Sequence, residues 1–132
     1  MLYIKMKQEI ISAIVLLVLD FMWLGLFMGN KYKTMILDIQ GVEMTTRIQY
    51  AIPAYILMVI GLILFVIPNI RKEHLLKDSL LYGATFGIVV YGIYDFTAAA
   101  VIEKWDMKLA LLDIAWGGFV FFCAALVGGY FS

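Results

Sequence analysis

Three aspartates, Asp20, Asp95 and Asp113, stand inside long apolar stretches of this chain. A carboxyl group in such surroundings can bind a proton, hold a cation or line a wet cavity. Asp20 sits in Leu19-Asp20-Phe21-Met22-Trp23-Leu24-Gly25, about half-way along the apolar run from Ile10 to Met28. In a membrane-crossing helix a central aspartate costs about 2.5–3.5 kcal/mol on insertion scales, so it is a functional-site candidate by default. Asp113 sits in Leu112-Asp113-Ile114-Ala115-Trp116-Gly117-Gly118, which repeats the Asp-x-x-Trp spacing of Asp20 and Trp23. Residues three apart share a helix face. Each tryptophan therefore lies one turn from its aspartate, where an indole N–H could donate to a carboxylate of a neighbouring helix. Gly83, Gly87, Tyr91 and Asp95 recur every fourth residue and define one face, with Tyr94 and Thr97 flanking the acid.

These residues need elements to carry them, and composition names the class. The chain has 132 residues, is 64% hydrophobic and 15% charged, and has mean hydropathy +0.96. Soluble domains are about 45–50% apolar and about 25% charged. A chain this small exposes too much surface to hide the excess in a soluble core. The expected fold is therefore all-α: a single-domain, integral membrane four-helix transmembrane bundle. Spans are expected at about 8–28, 50–68, 80–102 and 107–131, with a polar loop over 29–49. Scattered apolar residues in that loop suggest a short amphipathic surface segment or a plain solvated loop. Gly25 and Gly29 form a small-xxx-small pair that would admit a close helix neighbour. Tyr50 and Tyr55 read as interfacial residues of the second span. The connection from Asn69 to Ser79 is polar, and His74 within it reads as solvated.

Charge excludes several functions. Formal net charge is zero and no basic block occurs, so nucleic acid is not an expected partner. The single cysteine, Cys123, allows no intrachain disulfide. No motif for a cofactor, a phosphate loop or a nucleophilic triad is present, and no His/Cys/Glu set has metal-ligand spacing. A metal held by carboxylates alone would be calcium, magnesium or sodium rather than zinc or copper. The first run is longer than a signal-peptide core and lacks a small-residue cleavage site, so it reads as a retained span. Basic residues divide evenly between the two sides, Lys5, Lys7, Arg71, Lys72 and Lys77 against Lys31, Lys33, Arg47, Lys104 and Lys108. The tight Arg71-Lys72 cluster favours cytoplasmic termini in a cell membrane.

Depth ties the three acids together. At about 1.5 Å per residue, Asp20 lies roughly 18 Å from the starting face and Asp95 about 22 Å from that same face. Asp113 descends about 9 Å from the opposite face, or about 21 Å from the first in a core of about 30 Å. Three helices thus place a carboxylate in nearly one layer. Apart from Lys108 at the edge of the fourth, the spans hold no lysine, arginine or histidine to neutralise it. Protonation, a bound cation or a wet cavity is required; in the bland alternative the acids are protonated and bonded to Tyr91, Tyr94, Thr97, Trp23 and Trp116 as interhelical glue.

The motifs around Asp20 and Trp23, around Tyr94 and Asp95, and around Asp113 and Trp116 resemble, in order and spacing, those of the domain of unknown function 2177 family of small four-helix membrane proteins. The resemblance covers nearly the whole chain. It implies the four-helix architecture and implies no activity. The leading functional expectation is a carrier or channel for protons or small cations, including organic ones. Asp20, Asp95 and Asp113 would bind or relay the cation, and Trp23, Trp116, Tyr91 and Tyr94 would shape the site. Four short helices enclose little space, so a homo-oligomer is expected. The alternatives are an accessory protein that binds a lipid or a partner membrane protein, and a membrane enzyme using two acids as acid and base.

Overall fold

The computed structural model describes residues 2–132. Its elements are all helical, and four helical rods are long and apolar enough to cross a membrane. The first joins α1 (Leu2–Trp23) to α2 (Gly29–Gln40) through a π-helical turn, Leu24–Met28. The second is α3 (Ile48–Gly61), extended by a π turn at Leu62–Val66 and a 3-10 turn at Ile67–Asn69. The third begins with a 3-10 turn at Lys72–His74 and α4 (Leu75–Asp78). It passes through a π turn at Ser79–Ala84 into α5 (Thr85–Val101). The fourth is α6 (Met107–Tyr130), whose first turn is capped by the Asp106 carboxylate accepting from the Lys108 and Leu109 N–H groups.

The polar loop expected over 29–49 is corrected: the first helix continues to Gln40, and only residues 41–47 are non-helical. The reason is packing. Met35, Trp105 and Ala110 form a small second core, against which Tyr32, Ile36 and Ile39 lie. Spaced at three and four, these α2 residues make an apolar stripe that only a helix aligns. Gly41 ends the helix in the left-handed conformation, φ +76°, and its N–H donates to the Leu37 carbonyl. The expected close approach at Gly25 and Gly29 is also corrected. Gly25 has open space around it, and Gly29 faces the Leu24 carbonyl of its own helix.

The π turn changes what α2 presents. Twelve residues of straight α-helix would set Tyr32 about a third of a turn away from Asp20. The residue absorbed by the π turn takes back about 100°. Asp20 and Tyr32 thereby come to face the same side.

The main core gathers around α6. Leu16, Leu62, Val66, Ile67, Val120, Phe121, Ala124 and Ala125 are its buried members. Small residues set its closeness: a Cβ at Gly87 would strike the Gly117 carbonyl, and one at Gly128 would strike Ser12. Ser12 uses the space to donate from Oγ to the Ala124 carbonyl at 2.8 Å. The second rod is buried at Leu62, Val66 and Ile67, whereas Ile52, Ile56, Leu57 and Ile60 of α3 are exposed. One face of that rod is therefore turned away from the bundle, and a cleft lies beside its other side.

Between the second and third rods the chain is tied by Asp78. Its Oδ2 accepts from the Arg71 backbone N–H and Nε, both at 2.9 Å, and its Oδ1 accepts from Nη2 at 3.0 Å. This bidentate pair is the one salt bridge among the described residues.

Candidate functional site

The cleft has a volume of about 890 Å³ and is open rather than enclosed. Its walls come from all four rods and from the 41–47 connection. Tyr55 and Met58 of α3, Tyr91 and Tyr94 of α5, and Trp23, Tyr32 and Trp105 are among its lining residues. Most of the lining is apolar or aromatic. Asp20 and Asp113 supply its carboxylates, and Lys33 is the basic residue among its lining residues.

Asp20 is held by a cage of donors. Tyr55 Oη donates to Oδ2 at 2.6 Å. Tyr91 Oη donates to Oδ1 at 2.9 Å, and Trp116 Nε1 to the same oxygen at 3.0 Å. The three donors come from α3, α5 and α6, so one carboxylate of α1 joins all four rods. Bonds to a charged acceptor are shorter and stronger than neutral ones, which suits a group at this depth. Trp116 is itself positioned by Trp23, whose ring stacks on it at 4.5 Å with an interplanar angle of 3°. Trp23 is one turn from Asp20 on α1, and Trp116 bonds Asp20 from α6, so the two rings meet beside that carboxylate. Gly117 admits the Tyr91 ring, since a Cβ there would collide with it.

The other two acids make a pair of their own. Asp95 of α5 lies beside Asp113 of α6, at a place where Tyr32 of α2 also reaches Asp113. Asp95 is fully buried, Asp113 nearly so. Neither oxygen of Asp95 has a hydrogen-bond partner among the described residues. The Trp105 indole lies beside Asp95, and its Nε1 is likewise buried without a partner. Like charges this close cannot both remain ionised without compensation. No third His, Cys, Asp or Glu among the described residues joins them closely enough to hold a metal ion.

Of the residues singled out in the sequence, the structure joins Asp20, Tyr91 and Trp116 by hydrogen bonds, with Trp23 stacked behind them. It joins Asp95 to Asp113 separately. Tyr94 lines the cleft and packs edge-on against Trp105 at 5.9 Å, and among the described residues it donates to no acid. Thr97 is exposed and makes no hydrogen bond among those described. Three residues were missed. By sequence Tyr55 reads as interfacial and Tyr32 as part of the polar loop, and nothing in the charged turn around Trp105 marks it as a neighbour of Asp95. No local signal marks Tyr55 as an Asp20 donor. For Tyr32, the stripe of Met35, Ile36 and Ile39 was the available clue.

A model of the family of predicted membrane proteins designated DUF2177 matches residues 6–130. The chain belongs to this family. The match takes in all four rods, and with them both aspartate–tryptophan motifs, so the DUF2177 assignment and the four-helix membrane architecture agree. No curated protein and no solved structure matches this DUF2177 chain.

Proposed function

We propose that the protein binds small cations, organic ones in particular, in the cleft and carries them, or protons, across a cell membrane. One observation supports the reading above the others: Asp20 and Asp113 face an aromatic-walled cleft, and no salt bridge neutralises either one among the described residues. An onium group gains from the faces of tyrosine and tryptophan as well as from carboxylate charge. The cleft falls within the range of about 300–1,000 Å³ usual for small-molecule sites. In this reading Asp113 is the docking acid, Asp20 fixes the aromatic walls through its cage, and Asp95 stands behind Asp113. Transport across the whole membrane would use a homo-oligomer, because the cleft lies at the side of one small bundle.

The test is binding and flux of benzyltrimethylammonium, with sodium as the inorganic comparison. Purified protein in detergent is expected to bind the organic ion more tightly by calorimetry, and proteoliposomes to accumulate it. Asp113→Asn is expected to abolish both while the variant still unfolds cooperatively. Undiminished binding by that variant would remove Asp113 from the site and overturn the reading. A second reading, an accessory protein that holds a lipid, is favoured by the exposed apolar residues of α3 at the cleft's edge. A lipid that co-purifies in stoichiometric amount and is displaced by no cation would decide for it.

A further inference from the structure

The bonding of the acids divides them into two kinds. Asp20 accepts three hydrogen bonds. Asp95 accepts none, although it is the more deeply buried of the two. A buried polar group without a partner is rare and calls for an explanation. For a carboxylate the cost of burial is relieved by a partner charge, by donors or by a proton. The groups facing the pair exclude the first. Tyr32 comes from α2, Tyr91 and Tyr94 from α5, and Asp20 from α1, while Trp105 reaches it from the 102–106 turn. None of these is basic. The donors that are near serve other atoms or stay unpaired: Tyr91 bonds Asp20, and Trp105 Nε1 has no acceptor.

We propose that Asp95 and Asp113 hold a single proton between them and release it when a cation docks against Asp113, so that the protein exchanges a proton for a cation. This rests on the cation-binding reading given above. Before docking, one acid is a carboxylic acid whose O–H donates to the other's carboxylate, and the pair carries a net charge of −1. The cation approaches through the cleft, which Asp113 lines and Asp95 does not. Its positive charge replaces the proton as the compensating charge. The carboxyl O–H bond breaks, the proton passes by way of the cleft to bulk water, and both acids end as carboxylates beside the cation. The net charge of the site is −1 again. That equality gives the exchange its physical logic. In a low-dielectric region any other stoichiometry would leave an additional uncompensated charge. Asp20 lies outside the exchange, because its charge is already met by three fixed donors.

Two measurements test this. The infrared spectrum of the cation-free protein should contain a protonated-carboxyl C=O band. The band should vanish in Asp95→Asn, persist in Asp20→Asn and weaken when benzyltrimethylammonium is added to the wild type. In weakly buffered detergent solution a pH indicator should report one proton released for each ion bound, and Asp95→Asn should release none per ion bound. Should Asp95→Asn fail to fold, the wild-type band and its loss on binding still decide. Binding without proton release overturns the exchange and leaves the cation site standing. A missing carboxyl band overturns the shared proton. If benzyltrimethylammonium does not bind at all, the cation reading falls and the exchange falls with it.

Discussion

Asp78 and Asp95 belong to the same helical rod and are both fully buried, yet their surroundings are opposite. Asp78, near the rod's start, receives a backbone N–H and two guanidinium N–H groups, all from Arg71. Asp95, deep in the apolar part, has an unpaired carboxyl and another acid for a neighbour. Near the polar end an arginine can shield a carboxylate while keeping contact with water, and Arg71 remains half exposed. Deeper in the membrane a permanent ion pair would be costly to desolvate, and none occurs there among the described residues. The difference separates a carboxylate used to fasten the chain from one left with its valence open. Asp20 lies between the two: deep, but fastened by neutral donors.

The comparison can be broken by substitution, and the largest effect is expected at the intermediate case. Asp20→Ala strands Tyr55, Tyr91 and Trp116 together. At about 1–3 kcal/mol for each buried unsatisfied group, the loss should reach about 3 kcal/mol or more in denaturant titrations of the detergent-solubilised protein. Next comes Asp78→Asn, which should lower the thermal midpoint clearly and remove much of its dependence on salt. Tyr91→Phe takes a single donor from Asp20 and should cost about 1.5 kcal/mol in the same titration. Asp95→Asn sharpens the contrast most directly. The exchange that harms Asp78 should here be neutral, or stabilising by on the order of 1 kcal/mol, because the amide N–H can donate to Asp113 in place of the shared proton. A large loss at Asp95 would mean that it is fastened after all. Thr97→Val, beside Asp95 in sequence but exposed, should stay within about 0.5 kcal/mol of the wild type.

Much of the fold was legible because a bilayer imposes a crude and reliable signal. Runs of about 20 apolar residues must be helices. What failed was the assumption that a helix stops where its hydrophobicity does. Gly29-Asn30 and the lysines at 31 and 33 mark where the first helix becomes polar, and its backbone continues for another three turns on the support of Met35 and Trp105. Counting residues placed three acids at similar depth, but depth carries no azimuth. It does not distinguish one triad from the arrangement found, in which Asp95 and Asp113 adjoin and Asp20 has its own cage. Tyr55 was out of reach for the same reason, since it meets Asp20 across 35 positions of sequence. Arg71 and Asp78 are seven apart, on either side of a bend, so the three-and-four rule for helical partners does not find them.

The π turn at Leu24–Met28 has a consequence for length variants of this chain. Removing a single residue there would let the first helix run straight, leaving its composition and apolar length almost unchanged. Eleven straight residues would then separate Asp20 from Tyr32, and the two would still face one side, about 20° apart. All of α2 would keep its facing, with Tyr32 beside Asp113 and Met35 beside Trp105. The turn thus acts as a phase setting between the part of the helix in the membrane and the part beyond it, because it takes up one residue that would otherwise rotate α2 by about 100°. A one-residue deletion there would be a milder lesion than the same deletion inside α6, which has no spare residue to give up.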